Sequence, residues 1–286
     1  MMLPTSFSIL EDGKRVRVAR VGSGPLLVFL HGYPENLHIW GGVIDALSTE
    51  FECLAFDWPG LGDSDPWPGG TTPAHLADRL LTLLDHWKIA KATIVGMDMG
   101  GQPALVFAAK YPERTARLVV LNSLVFGDVK TSWEIALLRK YGFNRFILRH
   151  FPRLVFWRAE HTFLSTGAHL PSGVRADFWR CFRRTEVREF LVRMCAGYQG
   201  TLPRLPDFYA KIAAPTLVLW AENDVHFPVA QAQRLHALVP NSQLEIIPAT
   251  GHWMAWQTAS LVAQHIRTFL STRNRRNKKS LRALTR

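Results

Sequence analysis

The sequence predicts an α/β fold in which a mostly parallel sheet carries helices on both faces. Short runs rich in leucine and β-branched residues alternate with longer segments of helical periodicity along most of the chain. Several of the runs are continuously apolar, which is typical of strands buried on both faces of a sheet. Regular alternation of strand and helix favours parallel strands joined by crossover helices. At 286 residues the chain is long enough to bury a large core.

The first predicted elements are strands at 6–10 and 16–21, which form a hairpin around Glu11-Asp12-Gly13. Six further strands and four helices follow the same patterns. The strands are predicted at 26–30, 53–56, 93–95, 118–121, 216–220 and 244–247, and the helices at 73–87, 102–110, 229–238 and 258–270.

The pattern changes between residues 128 and 210, where helical segments rich in arginine and aromatic residues replace the alternation. We expect this segment to be a helical cap inserted after a central strand, so that 1–127 and 211–271 form the core. The remaining segment, 272–286, is basic and is predicted to be a disordered tail.

Composition excludes several classes of protein. A hydrophobic content of 48% argues against disorder, and no apolar run approaches the ~18 residues of a membrane-spanning helix. The first thirty residues lack the continuous apolar core of a signal peptide. The cysteines, Cys53, Cys181 and Cys195, are odd in number and have no paired spacing, which indicates free thiols in a reducing compartment. We therefore expect a cytoplasmic protein.

The net charge of +11 is unevenly distributed. Residues 273–286 contribute seven Lys or Arg and no acid, and residues 139–193 carry twelve against four Asp or Glu. No nucleic-acid-binding motif accompanies these charges, so we expect no nucleic-acid partner.

Within the cap, residues 143–156 place Arg145, Arg149 and Arg153 at a spacing of four beside apolar residues. Such a basic amphipathic pattern predicts either a helical lid or a weak association with an anionic membrane surface, and we favour the lid. Pro152 should break or kink the helix.

The segment most informative about chemistry is Thr93-Ile94-Val95-Gly96-Met97-Asp98-Met99-Gly100-Gly101. A strand runs into Gly-x-Asp-x-Gly-Gly, and a helix follows. Glycines two positions either side of Asp98 allow a strained turn that exposes the central side chain at its tip. This is a nucleophile-elbow pattern with aspartate where serine is usual. A glycine-rich turn whose aspartate caps the next helix is the structural alternative.

Three other segments favour the catalytic interpretation, because each follows a predicted strand. His31-Gly32-Tyr33-Pro34-Glu35-Asn36 is placed as an oxyanion-hole loop would be, Ala221-Glu222-Asn223-Asp224 brings a carboxylate, and Thr250-Gly251-His252-Trp253 brings a histidine. The carboxyl ends of parallel strands are where sites assemble in open α/β sheets. The chain order of nucleophile, acid and histidine is that of the α/β-hydrolases.

On these motifs the sequence resembles the α/β-hydrolase family, and within it the branch of epoxide hydrolases and haloalkane dehalogenases. The resemblance extends to about residue 271. It includes the loop Asp57-Trp58-Pro59-Gly60-Leu61-Gly62-Asp63-Ser64, which is similar to the family's Asp-x-x-Gly-x-Gly-x-Ser.

The resemblance implies that Asp98 is the nucleophile, His252 the base and Asp224 the acid that orients it, with the backbone amides of Tyr33 and Met99 forming the oxyanion hole. Some dehalogenases place the acid after the strand that follows the elbow. Asn122 occupies that place here and, as an amide, could not serve.

An aspartate nucleophile points to displacement at saturated carbon. A carboxylate attacks a C–O or C–halogen carbon without first losing a proton, which leaves an alkyl ester on the enzyme. Water activated by His252 would then hydrolyse the ester, with the oxyanion held by the two amides. This chemistry requires no metal and no organic cofactor, and the expected partner is a small hydrophobic substrate. A serine esterase would need a hydroxyl at position 98.

The leaving group separates the two branches. Epoxide hydrolases use cap tyrosines as acids, and Tyr141 lies roughly where the family's first one falls. Tyr198, in Gly197-Tyr198-Gln199-Gly200, resembles the late cap segment, although the family's tyrosine a few residues later is absent. Tyr141 and Tyr198 are therefore the candidate donors, and Tyr209 also lies at the edge of the insertion.

Dehalogenases use N–H donors instead, often a tryptophan after the nucleophile or an asparagine after His-Gly. This sequence has Met99 and Tyr33 at those positions, and Trp133, Trp157 and Trp179 of the cap are the remaining candidates. Epoxide hydrolysis is the leading hypothesis and dehalogenation the second. A non-catalytic binding or membrane-associated protein is the third, and an unusual reaction on a specialised metabolite is the fourth.

Overall fold

One eight-stranded sheet forms the centre of the molecule, with strands in the order β1-β2-β4-β3-β5-β6-β7-β8. A computed structural model describes residues 1–165 and 167–284, the latter without the side chains of 272–284. The strands are β1 Ser6–Ile9, β2 Arg15–Val21, β3 Leu26–Leu30, β4 Glu52–Phe56, β5 Ala92–Met97, β6 Thr115–Leu121, β7 Thr216–Ala221 and β8 Ser242–Ile247. β1, β2 and β4 pair antiparallel, and all the other pairings are parallel.

The predicted α/β fold with a mostly parallel sheet is confirmed. β5 and β7 are buried along their whole length, because helices cover both faces of the sheet. The core helices are α1 Gly41–Leu47, α2 Pro73–His86, α3 Gly101–Lys110, α10 Val229–Leu238, α11 Met254–Gln257 and α12 Ala259–Leu284. Sequence analysis missed α1, which begins with two glycines and therefore has a low intrinsic helix propensity.

Six α-helices and a short 3₁₀ helix at Leu202–Arg204 lie between β6 and β7 in the described part of the chain, where the sequence predicts the cap. The α-helices are α4 Trp133–Lys140, α5 Gly142–His150, α6 Pro152–Phe163, α7 Ser172–Phe182, α8 Thr185–Thr201 and α9 Pro206–Tyr209, and we call them the cap. As predicted, Pro152 separates two helices: α5 ends at His150, and Pro152 opens α6, where its missing N–H costs no hydrogen bond.

A buried ion network ties the cap to the core. Arg17 on β2 donates through Nε to Asp57 Oδ2 at 2.6 Å and through Nη1 to Asp177 Oδ2 on α7 at 3.0 Å. Asn36 Nδ2 also donates to Asp177 Oδ2, at 2.7 Å. Burial opposes the charge on Arg17, but the neighbouring Asp57, Cys181 and Asp177 outweigh it and raise the pKa of the guanidinium. One arginine therefore joins β2, the loop after β4 and the cap.

The three cysteines are free and buried, as the odd count and spacing predict. The backbone of α12 continues into the basic tail at 272–286 as far as Leu284, but the side chains from residue 272 onward are not described, so the predicted disorder of this tail stays a prediction. Within the described residues, no helix is both long and apolar enough to cross a membrane.

Candidate active site

The turn between β5 and α3 presents Asp98 in the left-handed region, at φ 51°. This conformation is strained for a residue with a side chain and persists only where the surroundings fix it. Only glycine fits at two positions of this turn. A Cβ on Gly96 would overlap the Gly100 carbonyl, and one on Gly100 would overlap the Leu30 carbonyl at the end of β3. The sharp elbow predicted from Gly-x-Asp-x-Gly-Gly is therefore the observed geometry.

The Asp98 carboxylate is buried against the loop that follows β3. The Tyr33 amide donates to Asp98 Oδ2 at 3.1 Å, as expected of an oxyanion-hole residue. A Cβ at position 32 would overlap the same carboxylate, so only glycine lets the loop come this close. Met99, the other predicted donor, is buried directly after Asp98, but its amide does not bond the carboxylate in the described structure. The missing bond does not contradict the predicted role of Met99, because oxyanion-hole donors are positioned for the oxyanion that forms during the reaction and not for the resting carboxylate.

His252 and Asp224 form a buried hydrogen-bonded pair. His252 Nδ1 lies 2.7 Å from Asp224 Oδ2, while Asp224 Oδ1 accepts the amides of His226 at 2.8 Å and Phe227 at 2.9 Å. The Asp224 carboxylate is therefore held in place from both oxygens. His252 Nε2 is buried and has no hydrogen-bond partner within the described structure. That nitrogen is the one left to accept a proton from water.

The charges of this site shift the pKa of its members. Burial disfavours the imidazolium of His252, but the carboxylates of Asp224, Asp98 and Glu35 outweigh burial and raise its pKa to about 9. Burial and the neighbouring Glu35 raise the pKa of Asp98 to about 8, against the opposing influence of His252 and the Tyr33 amide. Asp98 and His252 therefore stabilise each other's charged forms.

Glu35 is a site residue to which sequence analysis gave no role. It is buried and accepts the Gly32 amide on Oε1 at 3.1 Å and the Trp253 indole N–H on Oε2 at 3.0 Å. Burial raises its pKa, and His252 and the two donors oppose that shift. In the sequence, Glu35 closes the His-Gly-Tyr-Pro-Glu motif. That motif predicted an oxyanion-hole loop but no separate role for its glutamate.

Asn122 fills the place after β6 where an alternative acid would lie. Its Nδ2 donates to the His252 carbonyl at 2.8 Å, and its Oδ1 accepts the Ala221 amide at 2.8 Å. As expected, it cannot act as the acid. It instead connects the loop that carries the histidine to the end of β7, from which Asp224 follows.

Two tyrosines have phenols close enough to Asp98 to be affected by its charge. Tyr198 on α8 is buried, and burial together with Cys195 and Asp98 raises its pKa well above the ordinary value. The Tyr33 hydroxyl lies 3.7 Å from Cys195 Sγ. Burial, Cys195, Tyr198 and Asp98 likewise raise the pKa of Tyr33. Both phenols therefore remain protonated and close enough to Asp98 to be affected by its charge. Sequence analysis considered only the amide of Tyr33.

The other candidate donors lie further out. Tyr141, between α4 and α5, is 56% exposed and shares with Tyr198 a cavity of about 700 Å³ at the edge of the cap. The structure thus leaves Tyr141 at the surface, because the α4–α5 corner turns outward. Trp133 and Trp157 are 64% and 51% exposed. Trp179 packs against Phe156 within the cap, and Tyr209 donates to the Val125 carbonyl at 2.6 Å.

An apolar cavity of about 340 Å³ lies beneath the cap, and Asp98, Asp224 and His252 are not among the residues that line it. Tyr33, Pro34 and His226 contribute its core side, and Phe163 of α6, which also lines it, contacts the imidazole of His252 with ring centroids 4.5 Å apart. A cavity of this size and lining fits a small hydrophobic molecule. The described part of the chain contains no cluster of three or more histidine, cysteine or acidic residues suited to a metal ion.

Comparison with known proteins agrees with this geometry. The model of the alpha/beta hydrolase fold family matches residues 25–259. The chain belongs to the α/β-hydrolase family. It is an enzyme of the hydrolase type.

Among curated relatives, the poly(3-hydroxyalkanoate) depolymerase of Ectopseudomonas oleovorans is 30% identical, covering 96% of each chain. Human Epoxide hydrolase 4 is 27% identical, covering 94% of this chain and 79% of its own. Among solved structures, an esterase from Thermogutta terrifontis superposes with a TM-score of 0.77 at 23% identity, covering 93% of this chain and 98% of its own. That likeness concerns the fold alone.

Proposed function

We propose that this α/β-hydrolase opens epoxides through a covalent alkyl ester on Asp98. The observation that carries the proposal is a buried carboxylate at the elbow, bonded by the Tyr33 amide. The phenols of buried Tyr198 and half-buried Tyr33 are close enough to Asp98 for its charge to raise their pKa. The name of the human relative, Epoxide hydrolase 4, agrees with this chemistry.

In the first step an Asp98 oxygen attacks one epoxide carbon, and the bond from that carbon to the ring oxygen breaks. The oxygen takes a proton from Tyr198 or Tyr33, which becomes a phenolate. General acids of this kind typically contribute 10²–10⁴-fold to a rate. A phenol of raised pKa is fully protonated before the reaction and gives up its proton only as the alkoxide, a stronger base, develops.

The second step hydrolyses the ester. Alkylation removes the negative charge of Asp98, one of the charges that raise the pKa of His252. The pKa of the histidine therefore falls once the ester exists, so that His252 Nε2 becomes available to take a proton from water. The hydroxide adds to the Asp98 carboxyl carbon, and the oxyanion meets the amides of Tyr33 and Met99. The bond from the Asp98 carboxyl carbon to the alkyl oxygen then breaks, and His252 returns its proton to the departing alkoxide, which leaves as the diol. Asp98 remains as a carboxylic acid, and its proton passes through solvent to the phenolate, so that both the carboxylate and the phenol are restored.

Asp224 keeps the imidazole oriented during this step. Its Oδ2 fixes the proton on His252 Nδ1, and its Oδ1 is held by two backbone amides. The carboxylate also stabilises the imidazolium that forms. A complete base and orienting acid behind the carboxylate favours an enzyme over a non-catalytic binding protein.

The same ester could form from a haloalkane, but the donors around Asp98 favour an oxygen leaving group. Departing halide needs convergent N–H donors, whereas Trp133 and Trp157 are exposed and Trp179 packs against Phe156. The groups close to the nucleophile are hydroxyls.

The test is the intact mass of His252→Gln after incubation with parallel panels of epoxides and haloalkanes. Without the base, the ester should accumulate as a gain equal to the whole epoxide mass. A gain of the alkyl group alone, with free halide, would instead establish dehalogenation, and no adduct from either panel would overturn the ester mechanism. His265→Gln, on the half-buried histidine of α12, is the matched control that should accumulate nothing. Adding Asp98→Asn to His252→Gln should abolish the adduct.

A further inference from the structure

Large apolar side chains are concentrated on the outside of α4, α5 and α6 and the turns that join them. Seven of the fourteen exposed large hydrophobic side chains in the described part of the chain lie here, including Phe143 at 70% exposure. We call this set the cap rim. It consists of Trp133, Tyr141, Phe143, Phe146, Phe151, Leu154 and Trp157. Apolar residues scattered singly are ordinary on a surface, but a cluster of this kind indicates a contact surface.

The cap rim is continuous with the apolar cavity beneath the cap. Trp133, Phe143 and Leu154 belong to the rim and also line that cavity, whose core side includes Tyr33 and Pro34. An apolar molecule that reaches the rim could therefore pass into the cavity without crossing a polar surface.

The net charge around the cap rim is positive. From residue 133 to residue 160 the chain carries six Lys or Arg and two acids, Glu134 and Glu160. Both acids are already engaged, since Glu134 pairs with Arg158 and Glu160 with Arg175, and Glu189 of α8 pairs with Arg149. Lys140, Arg145 and Arg153 have no acidic partner within the described structure. The rim is therefore both apolar and positively charged.

We propose that the cap rim docks on a bilayer surface that contains anionic lipids. Aromatic residues beside unpaired Lys and Arg form the combination that binds such surfaces, through apolar burial together with attraction to the headgroups. A second copy of the chain would bring the same positive charges face to face, which disfavours it as the occupant. Resting on the proposed function, this contact would let apolar substrates enter the cavity directly from the lipid.

Docking is tested by sedimentation of the full chain with vesicles in the absence of substrate. Vesicles of phosphatidylcholine alone are compared with vesicles containing phosphatidylglycerol at about one lipid in three. We expect binding to the anionic vesicles, weaker binding to the neutral ones and a loss of binding as salt rises. Since no reaction is involved, failure of the epoxide chemistry would not affect this result.

Two cap variants separate the contributions of the rim from those of the basic tail. Phe146→Ser/Phe151→Ser/Trp157→Ser avoids the residues that line the cavity and should weaken binding at least about tenfold. Arg145→Gln/Arg153→Gln should weaken it about 30-fold, at about 1 kcal/mol for each charge near the surface.

Each cap variant has a matched control on the core. The controls are Ile9→Ser/Leu238→Ser/Leu261→Ser, which changes three exposed apolar residues, and Lys91→Gln/Lys211→Gln, which removes two exposed charges. Both should bind like the unchanged protein.

Three results would overturn the proposal. The first is no binding to anionic vesicles, and the second is equal binding by the cap variants and their controls, which would assign binding to the tail. The third is self-association of the unchanged protein that rises with concentration in the absence of vesicles and is abolished in the Phe146→Ser/Phe151→Ser/Trp157→Ser variant. The rim would then be a contact between two copies of the chain. Thermal unfolding of each variant shows whether it is folded. The arginine variant, which replaces exposed Arg153 and half-buried Arg145 and breaks no ion pair, tests the proposal if the apolar variant unfolds.

Discussion

The side-chain amide of Asn122 holds the backbone of His252, with Nδ2 2.8 Å from the histidine carbonyl oxygen. The other end of the same amide accepts the Ala221 N–H at the end of β7. A residue that takes no part in the proposed chemistry thus sets the distance between the loop of the base and the strand that leads to Asp224.

Asn122→Ala should therefore reduce both stability and turnover. The substitution leaves a buried carbonyl and a buried amide without partners, at a cost of about 1–3 kcal/mol each. Chemical denaturation measures the stability, and kcat at saturating substrate measures the alignment of His252. Asn241→Ala is the matched control, because Asn241 is exposed and its Nδ2 donates to the Ala213 carbonyl far from the site. Normal turnover by Asn122→Ala would show that the loop holds its position without the amide.

Asp98→Asn should lose turnover by at least about 10³-fold, because the amide cannot form the ester. It should also change how stability depends on pH. The pKa of Asp98 is raised in the folded protein from 3.8 to about 8, so the folded state binds this proton more tightly than the unfolded state.

The wild-type protein should consequently lose stability relative to Asp98→Asn as the pH rises from 4 to 8, and the difference should then level off. Denaturant titrations of both proteins from pH 5 to pH 9 measure it. A difference in unfolding free energy that does not vary with pH would mean that Asp98 is ionised throughout, and so would contradict the raised pKa.

Tyr198→Phe and Tyr33→Phe should each slow ester formation from an epoxide by about 10²-fold or more, because each removes an acid without altering the backbone amides. Single-turnover alkylation in the His252→Gln background isolates this step. Tyr141→Phe should leave the rate unchanged, since the exposed phenol of Tyr141 faces solvent. If Tyr141→Phe slowed alkylation as strongly as Tyr198→Phe, the cap would have to close over the site during the reaction.

Glu35→Gln should shift the pH dependence of activity to lower pH. After burial itself, Glu35 is the largest influence that raises the pKa of Asp98, and it also raises the pKa of His252. Neutralising it lowers both values, so the rising acidic limb of kcat/KM against pH should move to lower pH. Glu245→Gln, on exposed β8, provides the comparison. An unmoved limb accompanied by a loss of kcat would mean that Glu35 only positions Gly32 and Trp253.

Arg17→Met should destabilise the protein by about 3–5 kcal/mol, because it leaves the fully buried carboxylate of Asp57 without its cation, whereas Asp177 still pairs with Arg180. Arg20→Met breaks the exposed pair with Glu52 on the same strand and should cost less than about 1 kcal/mol. Unfolding free energies measure both. Equal costs for the two variants would show that the cap does not depend on the Arg17 network.

Sequence alone was sufficient where local pattern decides the structure. The run Leu26–Leu30 is buried on both sheet faces, and its predicted bounds match β3. Asp98, Asp224 and His252 were predicted as site residues because each follows a predicted strand, and the ends of parallel strands meet at one edge of a sheet.

The rest of the site depends on contacts between residues that are far apart in the chain, which a local sequence pattern cannot predict. Glu35 acquires its environment from Trp253, 218 residues away, and Arg17 meets Asp177 across 160 residues. The outward position of Tyr141 and the inward position of Tyr198 follow from how α4, α5 and α8 pack. Both are tyrosines in helical sequence, and only the packing distinguishes them.

Because the cap is inserted between β6 and β7, it forms a segment of the chain separate from the predicted catalytic residues. In the proposed mechanism every group that forms or breaks a bond to carbon belongs to the core, and the cap supplies one phenol and most of the cavity wall. Mutations in α4 to α7 can thus alter which molecules gain access while the elbow, the base and its acid keep their positions. Substrate selectivity and the chemistry of the reaction therefore depend on different segments of the chain, and substitutions can change the first without changing the second.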